Sequence, residues 1–278
     1  MFDYGLDLSD REFQAFSELV HAKAGINLHS GKKELVRARL AKRIREGGFA
    51  GFDDYYQYVI EDDSGEELIL LLDAISTNLT SFFRESQHFT FMIERFLPEL
   101  AQARAKKNDR RLRIWSAGCS TGEEPYSIAI VILEHSPYFA AGDVRILATD
   151  LSTKVLAEAH QAVYQANRMT DVPQLLLRKY FQKGQGRWSG WYRVKNTVRR
   201  LVAFKRLNFI QPFPFRRPFD LIFCRNVMIY FDKKMQAELV AKLHQALNEG
   251  GYLFIGHSES LGGFNNLFKY IQPTIYRK

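Results

Sequence analysis

A strand-to-helix turn rich in small residues is the first feature of the chain that could bind a ligand. The β-prone run Leu112 to Ser116 is followed by Ala117 to Pro125, which contains Gly118 and Gly122 and leads into a helical pattern. Small residues at such a turn let a ligand approach the backbone closely. The spacing of the two glycines is not that of the dinucleotide fingerprint, so a purely structural turn is an equally good interpretation of this segment alone.

A carboxylate follows the next β-prone run. Val144 to Thr149 is followed by Asp150, and a carboxylate at that place can accept two hydrogen bonds from the hydroxyls of a ribose. The alternative is a helix N-cap, because Asp150 and Ser152 both precede an apolar helical pattern. Taken together, the two turns favour an adenosyl ligand at the carboxyl ends of the strands.

A third run, Phe219 to Cys224, is followed by Arg225 and Asn226. A buried strand rarely ends in two such side chains unless polar partners satisfy them, so both are candidates for a binding site. The alternative is a salt bridge from the arginine to a neighbouring loop. The motif segments contain no His–Cys, Ser–His or metal-ligand constellation, so we expect no metal site and assign His257 a structural role.

The elements that must position these turns follow an alternating pattern. From about residue 112 onward, β-prone runs alternate with helical patterns that begin near Glu123, Ser152 and Asp232, which favours a mostly parallel sheet covered by helices. A long helix is expected before the first strand, to about Lys107. Glycines among aromatic residues, followed by β-prone sequence, predict a small antiparallel insertion at residues 183–205.

The N-terminal part of the chain has a purely helical pattern. Ser9 to Glu12 matches a capping box, and apolar residues then recur at helical spacing until Gly25. A second helix is predicted from about Ser30 to Glu46, with one apolar row and otherwise basic faces, and two short helices at about 53–61 and 66–74. We therefore predict a helical domain at residues 1–76 and a larger α/β domain at 77–278.

Composition restricts the class of protein. The 278 residues include 39 basic and 31 acidic side chains, a formal charge of +8 that favours an anionic partner without choosing among nucleic acid, a membrane surface and an acidic protein. Cys119 and Cys224 are too far apart in sequence to indicate a disulfide framework. The acidic N-terminus does not resemble a signal peptide and no run approaches a membrane span, so we expect a cytoplasmic protein.

Four blocks closely resemble, in order, the chemotaxis receptor methyltransferases of the CheR family: Thr77 to Arg84, Ser116 to Ser127, Phe223 to Phe231 and Gly256 to Glu259. The resemblance spans nearly the whole chain. It implies a class I S-adenosylmethionine-dependent methyltransferase, an α/β fold with a doubly wound, mostly parallel sheet, a small N-terminal all-α domain and a small antiparallel β insertion. The implied reaction transfers a methyl group from S-adenosylmethionine to glutamate side chains of chemotaxis receptors and leaves S-adenosylhomocysteine.

The resemblance also implies roles for individual residues. Arg84, at the domain junction, and Tyr230, which matches a tyrosine near the transferred methyl, form the predicted catalytic pair. Glu124 matches the cofactor-binding acid of the loop and Asp150 the ribose-binding aspartate. With the close-approach glycine of the first turn, the whole predicted cofactor-binding set is Asn78, Thr80, Arg84, Gly118, Glu124, Asp150, Asn208, Phe209, Arg225 and Asn226.

The same resemblance implies how a receptor is recognised. The family uses basic residues of the second N-terminal helix on the cytoplasmic helices of the receptor, which here are Arg37, Arg39, Lys42, Arg43 and Arg45. The alternative for these residues is a solvated helix face. Some members use a β-subdomain to bind a receptor's C-terminal peptide, and Gly184 to Val194 resembles that segment in its glycines and length. No nucleic acid and no membrane insertion are expected.

The chemistry suits such a site. Methyl transfer from a sulfonium to a carboxylate is a direct displacement, and a glutamate with a pKa of ~4.3 is already ionised at neutral pH. No general base is required, so the main task is alignment, which contributes roughly 7 to 11 kcal/mol in favourable cases. We expect Arg84 to orient the acceptor carboxylate. Phe82, Phe83, Tyr230 and Phe231 are candidates for an apolar wall, or else ordinary core residues.

Two other functions are compatible with parts of the sequence. The basic charge fits a nucleic-acid methyltransferase, but the third motif reads Arg225-Asn226-Val227-Met228, whereas amino methylation of bases typically uses Asn or Asp followed by Pro-Pro and an aromatic residue. No Pro-Cys pair for cytosine methylation occurs either. A catalytically silent S-adenosylmethionine-binding scaffold is the second alternative, and the unbroken set of motif residues speaks against it.

Overall fold

The computed structural model describes residues 6–76, 78–263 and 267–278. Thr77, with which the predicted second domain begins, lies outside these residues. The helices are α1 (Asp10–Ala24), α2 (Lys33–Gly47), α3 (Phe52–Glu61), α4 (Glu66–Ile75), α5 (Ser86–Phe91), α6 (Leu97–Ala105), α7 (Glu123–His135), α8 (Pro137–Ala140), α9 (Thr153–Gln161), α10 (Gln174–Tyr180), α11 (Asn196–Arg199) and α12 (Lys233–Ala246). Within the described ranges, none of the helices has the length and apolar character needed to span a membrane.

The strands form two sheets. They are β1 (Arg111–Ala117), β2 (Asp143–Asp150), β3 (Val163–Gln165), β4 (Phe181–Lys183), β5 (Trp191–Val194), β6 (Val202–Arg206), β7 (Phe219–Cys224), β8 (Leu247–Ile255), β9 (Lys269–Gln272) and β10 (Ile275–Arg277). The larger sheet has seven strands in the order β6-β2-β1-β7-β8-β10-β9, and the smaller has three in the order β3-β5-β4.

Helices α1 to α4 build the predicted N-terminal helical module. The backbone nitrogen of Glu12 donates to the Ser9 hydroxyl at 3.2 Å while the Glu12 carboxylate accepts from the Ser9 nitrogen at 2.8 Å, which confirms the capping box. The helix ends at Gly25 with φ of +73°, a conformation that favours glycine. Apolar residues at helical spacing, among them Phe16, Leu40 and Ile44, bury one common core.

The larger sheet confirms the predicted α/β architecture. Strands β6, β2, β1, β7 and β8 are parallel, and β10 and β9 complete the sheet in antiparallel pairing. Because successive side chains of a strand point to opposite faces, Leu221 and Phe223 pack on one side of the sheet and Ile222 on the other. Helices cover both faces, so β7 is buried along its whole length, as parallel strands usually are.

Two elements differ from the predicted pattern. The antiparallel insertion begins with β3, about twenty residues earlier than the predicted bounds 183–205, and β6 leaves it to pair in parallel with β2 in the larger sheet. The β-prone residues of Val202–Arg206 indicate a strand, but they do not indicate which other strand it pairs with. The predicted long helix is interrupted by a π-helical segment, Met92–Phe96, between α5 and α6.

The helical module lies against the carboxyl ends of the parallel strands. The Asp73 carboxylate accepts from the backbone nitrogens of Thr153 at 3.1 Å and Lys154 at 3.2 Å, at the positive N-terminus of α9. The backbone nitrogen of Asn27 donates to the Tyr230 carbonyl at 2.8 Å. These contacts bring the end of α4 and the loop after α1 onto the strand ends where the ligand-binding turns were predicted.

Removing Arg43 should destabilise the protein. Its guanidinium makes two contacts with the buried Glu67 carboxylate, Nε to Oε1 at 2.7 Å and Nη2 to Oε2 at 2.5 Å, and the Arg43 side chain is only 25% exposed. Arg43→Ala would leave that carboxylate without its ionic partner, so we expect the free energy of unfolding to fall by about 2–3 kcal/mol. Urea denaturation followed by circular dichroism measures it.

Lys42→Ala is the matched control. Lys42 lies one residue away on α2, is exposed, and contacts Glu46 at 3.8 Å, so its loss should cost about 0.5 kcal/mol or less. Equal destabilisation by the two substitutions would contradict a structural role for the Arg43–Glu67 pair.

Candidate active site

A cavity of about 440 Å³ lies between the helical module and the carboxyl ends of the parallel strands. It is lined by every residue that the sequence predicts for the cofactor or for catalysis, although they come from distant parts of the chain. These residues are Asn78, Thr80, Arg84, Gly118, Glu124, Asp150, Asn208, Phe209, Arg225, Asn226 and Tyr230. The structure therefore brings the set together, and the contacts of each side chain with a ligand stay predictions.

The turn after β1 needs glycine where it approaches another loop. Gly118 has φ of +81°, and a Cβ atom there would collide with the Cγ2 atom of Val227. The backbone nitrogens of Gly118 and Cys119 both donate to the Thr149 carbonyl, at 2.8 and 2.9 Å. The turn is thereby held against the end of β2 with its backbone open to the cavity.

Asp150 joins two turns at the cavity wall. Its carboxylate accepts from the backbone nitrogens of Ser120 at 2.8 Å and Ser152 at 3.0 Å. The cap of α9 is Ser152, whose hydroxyl accepts from the Val155 nitrogen at 3.3 Å, so the N-cap interpretation of Asp150 is wrong. Burial raises the pKa of Asp150, and the donated hydrogen bonds oppose that rise. Its place at a strand end is the one predicted for a ribose-binding carboxylate.

Arg84 connects the domain junction to the loop after β7. Its Nη2 atom donates to Asn226 Oδ1 at 2.8 Å and its Nη1 atom to the Leu79 carbonyl at 2.9 Å. Asn226 in turn donates through Nδ2 to Glu85 Oε1 at 3.1 Å. Asn226 has φ of +59°, in the left-handed region that asparagine adopts more readily than most residues other than glycine.

Arg225 is engaged by the protein itself. It is 6% exposed, and its Nη2 atom donates to the Arg84 carbonyl at 2.6 Å. Its guanidinium lies 3.4 Å from the Glu85 carboxylate and 3.5 Å from that of Glu124. The salt-bridge interpretation of Arg225 is therefore the one that the structure displays.

Glu124 faces the cavity from the first turn of α7. Its Oε1 atom accepts from the Ser116 hydroxyl at 2.6 Å. Burial raises the pKa of Glu124, and the Arg225 charge and the Ser116 hydrogen bond oppose the rise. The site thus contains two carboxylates beyond neighbouring strands, the partly buried Glu124 after β1 and the buried Asp150 at the end of β2.

The predicted adenine region lies at the seam between the two parts of the protein. Asn208 Nδ2 donates to the Lys23 carbonyl, at the end of α1, at 2.7 Å. Phe209 packs with its ring centroid 6.2 Å from that of Trp115 and 6.5 Å from that of Phe231. A ligand seated here would contact residues held in place from both sides.

The predicted aromatic wall is only partly formed. Tyr230 and Phe231 line the cavity. Phe82 is fully buried among Tyr164 and Phe181, so it is a core residue, because the turn at the junction points it away from the cavity. Phe83 packs against Phe89 with ring centroids 5.6 Å apart.

The five basic residues predicted to contact a receptor fall into different environments. Lys42 and Arg45 are exposed, and Arg37 pairs with Glu34 at 2.9 Å. Arg43 is held by Glu67, as described above. Arg39 donates to the carbonyls of Ile75 and Ser76, at the domain junction, so its guanidinium is directed toward the cavity rather than the outer surface.

Several residues that shape the site were given no role from sequence. Glu85 contacts Arg225 and Asn226, and the fully buried His88 lies with its Nδ1 atom 3.5 Å from the Glu85 carboxylate. A structural role was predicted for their neighbour His257, which contacts Gln87 and Glu85. Glu259 binds the loop after β7. Glu85 directly follows the first motif block and Glu259 ends the last. Their position at the motif blocks was the sequence signal that could have identified them as site residues.

Comparison with known families covers nearly the whole chain. Residues 78–277 match the family model described as "CheR methyltransferase, SAM binding domain", and residues 11–76 match "CheR methyltransferase, all-alpha domain". The first model matches the part of the chain that contains the larger sheet, and the second matches helices α1 to α4.

Curated relatives match at full length. A chemotaxis protein methyltransferase of Borreliella burgdorferi is 40% identical over 100% of this chain and 97% of its own. A probable chemotaxis protein methyltransferase of Rhizobium etli is 39% identical over 93% and 96%. The chemotaxis protein methyltransferase of Salmonella typhimurium is 35% identical over 98% and 91%.

Loss of the Arg84 side chain should weaken ligand binding. Arg84→Ala removes the hydrogen bonds to Asn226 and Leu79 that hold the junction over the cavity, so we expect the Kd for S-adenosylhomocysteine to rise about tenfold, a charge-assisted hydrogen bond being worth ~1.5–3 kcal/mol. Isothermal titration calorimetry measures it. Arg95→Ala is the control, because Arg95 is exposed and forms an i,i+4 pair with Glu99. Unchanged affinity and turnover in Arg84→Ala would remove this residue from the site.

Stability should fall in mild acid because of His88. Burial lowers the pKa of His88 to about 3. Below about pH 6.5 the unfolded chain binds a proton at this residue and the folded protein does not. The stability present above that pH is therefore lost as the pH falls toward 3, at up to ~1.4 kcal/mol per pH unit. Between pH 6 and 4.5 the wild type should lose about 2 kcal/mol more than His88→Gln. Urea denaturation at both pH values measures it, with exposed His29→Gln as control. Parallel losses in all three proteins would contradict this origin.

Proposed function

Because the chain belongs to the CheR methyltransferase family, we propose that it esterifies glutamate side chains of chemotaxis receptors. It is a methyltransferase with an S-adenosylmethionine-binding domain, and its relatives over full length are chemotaxis protein methyltransferases. The single observation that supports the proposal is the cavity in which all the predicted site residues converge. The names of the relatives favour a chemotaxis substrate over nucleic acid and favour an active enzyme over a silent scaffold.

The residues around the cavity fit S-adenosylmethionine. The volume of about 440 Å³ lies within the range of small-molecule sites. Gly118 leaves the backbone of the first turn open, and Asp150 offers a carboxylate where a ribose would lie. Glu124 offers a second, partly buried carboxylate, which suits a cationic ligand. When bound, the cofactor supplies a methyl group attached to a positively charged sulfur.

The protein's task in this reaction is alignment. Bound S-adenosylmethionine would supply its methyl group to an acceptor carboxylate oxygen, and the electron pair of the carbon–sulfur bond would remain on sulfur. No proton moves, so no base is required. Arg84 is anchored to Asn226 and Leu79, which restricts its guanidinium to the cavity wall where an acceptor carboxylate can be oriented. Tyr230 and Phe231 exclude water from the same wall.

The entrance favours an anionic acceptor. Lys32 lines the cavity, and Arg39 binds the junction carbonyls beside it. Burial lowers the pKa of Arg39, and the nearby Tyr230 opposes that fall. A cation in such a position attracts a carboxylate more strongly than a neutral amide, so this pair of cations favours glutamate over glutamine.

The outer face of α2 is proposed to approach the receptor's cytoplasmic helices. Lys42 and Arg45 are exposed there, and long-range attraction to an acidic helical surface accelerates encounter and weakens with salt. Arg43 is excluded from this contact because Glu67 holds it. An enzyme that acts on these helices would work in the cytoplasm.

The small sheet is proposed to bind a receptor's C-terminal peptide. An open cavity of about 510 Å³ lies along β4 and β5 and is lined by Trp188, Trp191 and Arg193. Trp188 is 52% exposed, an unusual position for an indole ring unless a partner covers it. Edge strands of a small antiparallel sheet can also accept an extended peptide through backbone hydrogen bonds.

Methyl transfer to receptors tests the proposal. Purified protein and labelled S-adenosylmethionine are incubated with chemoreceptor-containing membranes, with the same receptors lacking their C-terminal residues, and with RNA and DNA. We expect label on the receptors only, released as methanol by mild alkali because it is carried as an ester. Label on nucleic acid, or alkali-stable label on the receptors, would refute the proposed reaction.

The tether to the C-terminal peptide has its own test. Trp188→Ala removes the exposed ring of the β4–β5 cavity, so the KM for intact receptor should rise about tenfold or more, as for a buried aromatic contact, with kcat unchanged. Truncated receptor should be methylated equally by both proteins. Leu175→Ala, which changes another exposed apolar residue outside that cavity, is the control. A KM that rises equally with truncated receptor would contradict a peptide-specific role.

A further inference from the structure

One buried carboxylate binds four backbone amides at the edge of the site. Glu259 follows β8 and is 9% exposed. Its Oε2 atom accepts from the nitrogens of Asn226 at 2.9 Å and Gly256 at 2.6 Å. Its Oε1 atom accepts from those of Val227 at 2.9 Å and Met228 at 2.7 Å. Every one of these donors is a main-chain group, so the carboxylate fixes the backbone conformation rather than the positions of side chains.

Three of the four amides belong to the segment that carries two predicted site residues. Residues 226–230, here called the Asn226–Tyr230 turn, connect β7 to the loop before α12 and include both Asn226 and Tyr230. Successive N–H groups that converge in this way form a concave site that normally holds an anion. In this protein the chain supplies the anion itself.

Contacts from two sides hold the turn. Asn226 has φ of +59°, in the left-handed region that asparagine adopts more readily than most other residues with a side chain. The same residue receives the Arg84 hydrogen bond through its side chain. Gly256 lies so close that a Cβ atom there would stand 2.7 Å from the Asn226 nitrogen. The turn is therefore held from its backbone by Glu259 and from its side chain by Arg84.

We propose that Glu259 is a positioning residue that presets the Asn226–Tyr230 turn for cofactor binding and methyl transfer. It acts through the turn, because its own oxygens are occupied by amides and it does not line the cavity. The expected effect on methyl transfer rests on the proposed function. The expected effect on cofactor binding requires only that the cofactor is S-adenosylmethionine.

Charge and length of the side chain should both matter. In Glu259→Gln, one terminal oxygen becomes an NH2 group, which faces two N–H donors whichever way the amide is turned, so two hydrogen bonds become repulsive contacts. In Glu259→Asp, the charge remains but the side chain is one methylene shorter. Glu249→Gln makes the same chemical change at an exposed residue that contacts Lys278 and serves as the control.

The experiment separates positioning from folding by measuring affinity and stoichiometry together. Full-length proteins are titrated with S-adenosylhomocysteine in a calorimeter. For Glu259→Gln we expect an unchanged stoichiometry with a Kd at least tenfold higher, for Glu259→Asp a smaller rise, and for Glu249→Gln no change. A residue needed only for folding would instead reduce the fraction of binding-competent molecules and leave their Kd unchanged, and that result would overturn the inference.

Kinetics with receptor substrate give the second readout. Glu259→Gln should lower kcat at least tenfold while the KM for receptor stays within twofold, because neither α2 nor the small sheet, the elements proposed to bind the receptor, supplies the amides that Glu259 binds. Wild-type kcat and wild-type Kd in this variant would overturn the inference and leave the proposed function intact. If the wild type bound S-adenosylhomocysteine but did not methylate receptors, the proposed function would fail, and the Kd of the variants would still decide the role of Glu259.

Discussion

The buried guanidinium of Arg225 is the interaction on which the site depends. It lies between the carboxylates of Glu85 and Glu124 and donates to the Arg84 carbonyl. These partners come from the domain junction and from the first turn of α7. Removing one charge from such an arrangement leaves the others buried without a partner. That change destabilises a protein far more than the intact ion pair stabilises it. The network therefore requires the junction, the β1 turn and the β7 loop to stay together.

Backbone strain is concentrated around the same network. Phe83, Glu85, Ser120 and Asn226 all have positive φ although none is glycine. Such conformations are disfavoured and persist only where surrounding contacts determine them. Here those contacts include the hydrogen bonds of Arg84 and Glu259 to Asn226 and the ion pair of Arg225 with Glu85. The backbone nitrogens of Phe83 and Ser120 donate to Ser127 and Asp150. Part of the stability of the core is thus used to hold loops in the geometry that the ligand requires.

The positive charge of the chain has several structural roles. Arg43 neutralises Glu67 within the helical module, and Arg39 binds backbone carbonyls at the junction. Only Lys42 and Arg45 of the predicted receptor-binding set are exposed. A net charge of +8 therefore overstates the positive surface available to a partner, since an arginine can serve as well inside the fold as outside it.

Local sequence was sufficient to predict the elements and the family. The capping box of Ser9 and Glu12, the apolar periodicity of α1 and α2, and the alternation of strands and helices depend on residues a few positions apart, so their physics is visible along the chain. The resemblance likewise named residues that line the cavity, both within the motif blocks and, for Asp150, Asn208 and Phe209, outside them. The sequence did not show which residues far apart along the chain would form partnerships in the folded protein.

Those partnerships were decided by the tertiary structure. Arg84 and Asn226 are 142 residues apart, and Asn208 and Lys23 are 185 apart. The same limit explains why β6 was assigned to the insertion, since its composition is the same whichever strand it pairs with. It also explains Glu259, whose four partners are main-chain amides and leave no trace in side-chain identity. Residue types determine what a segment can bind, and only the folded chain determines which groups are within reach.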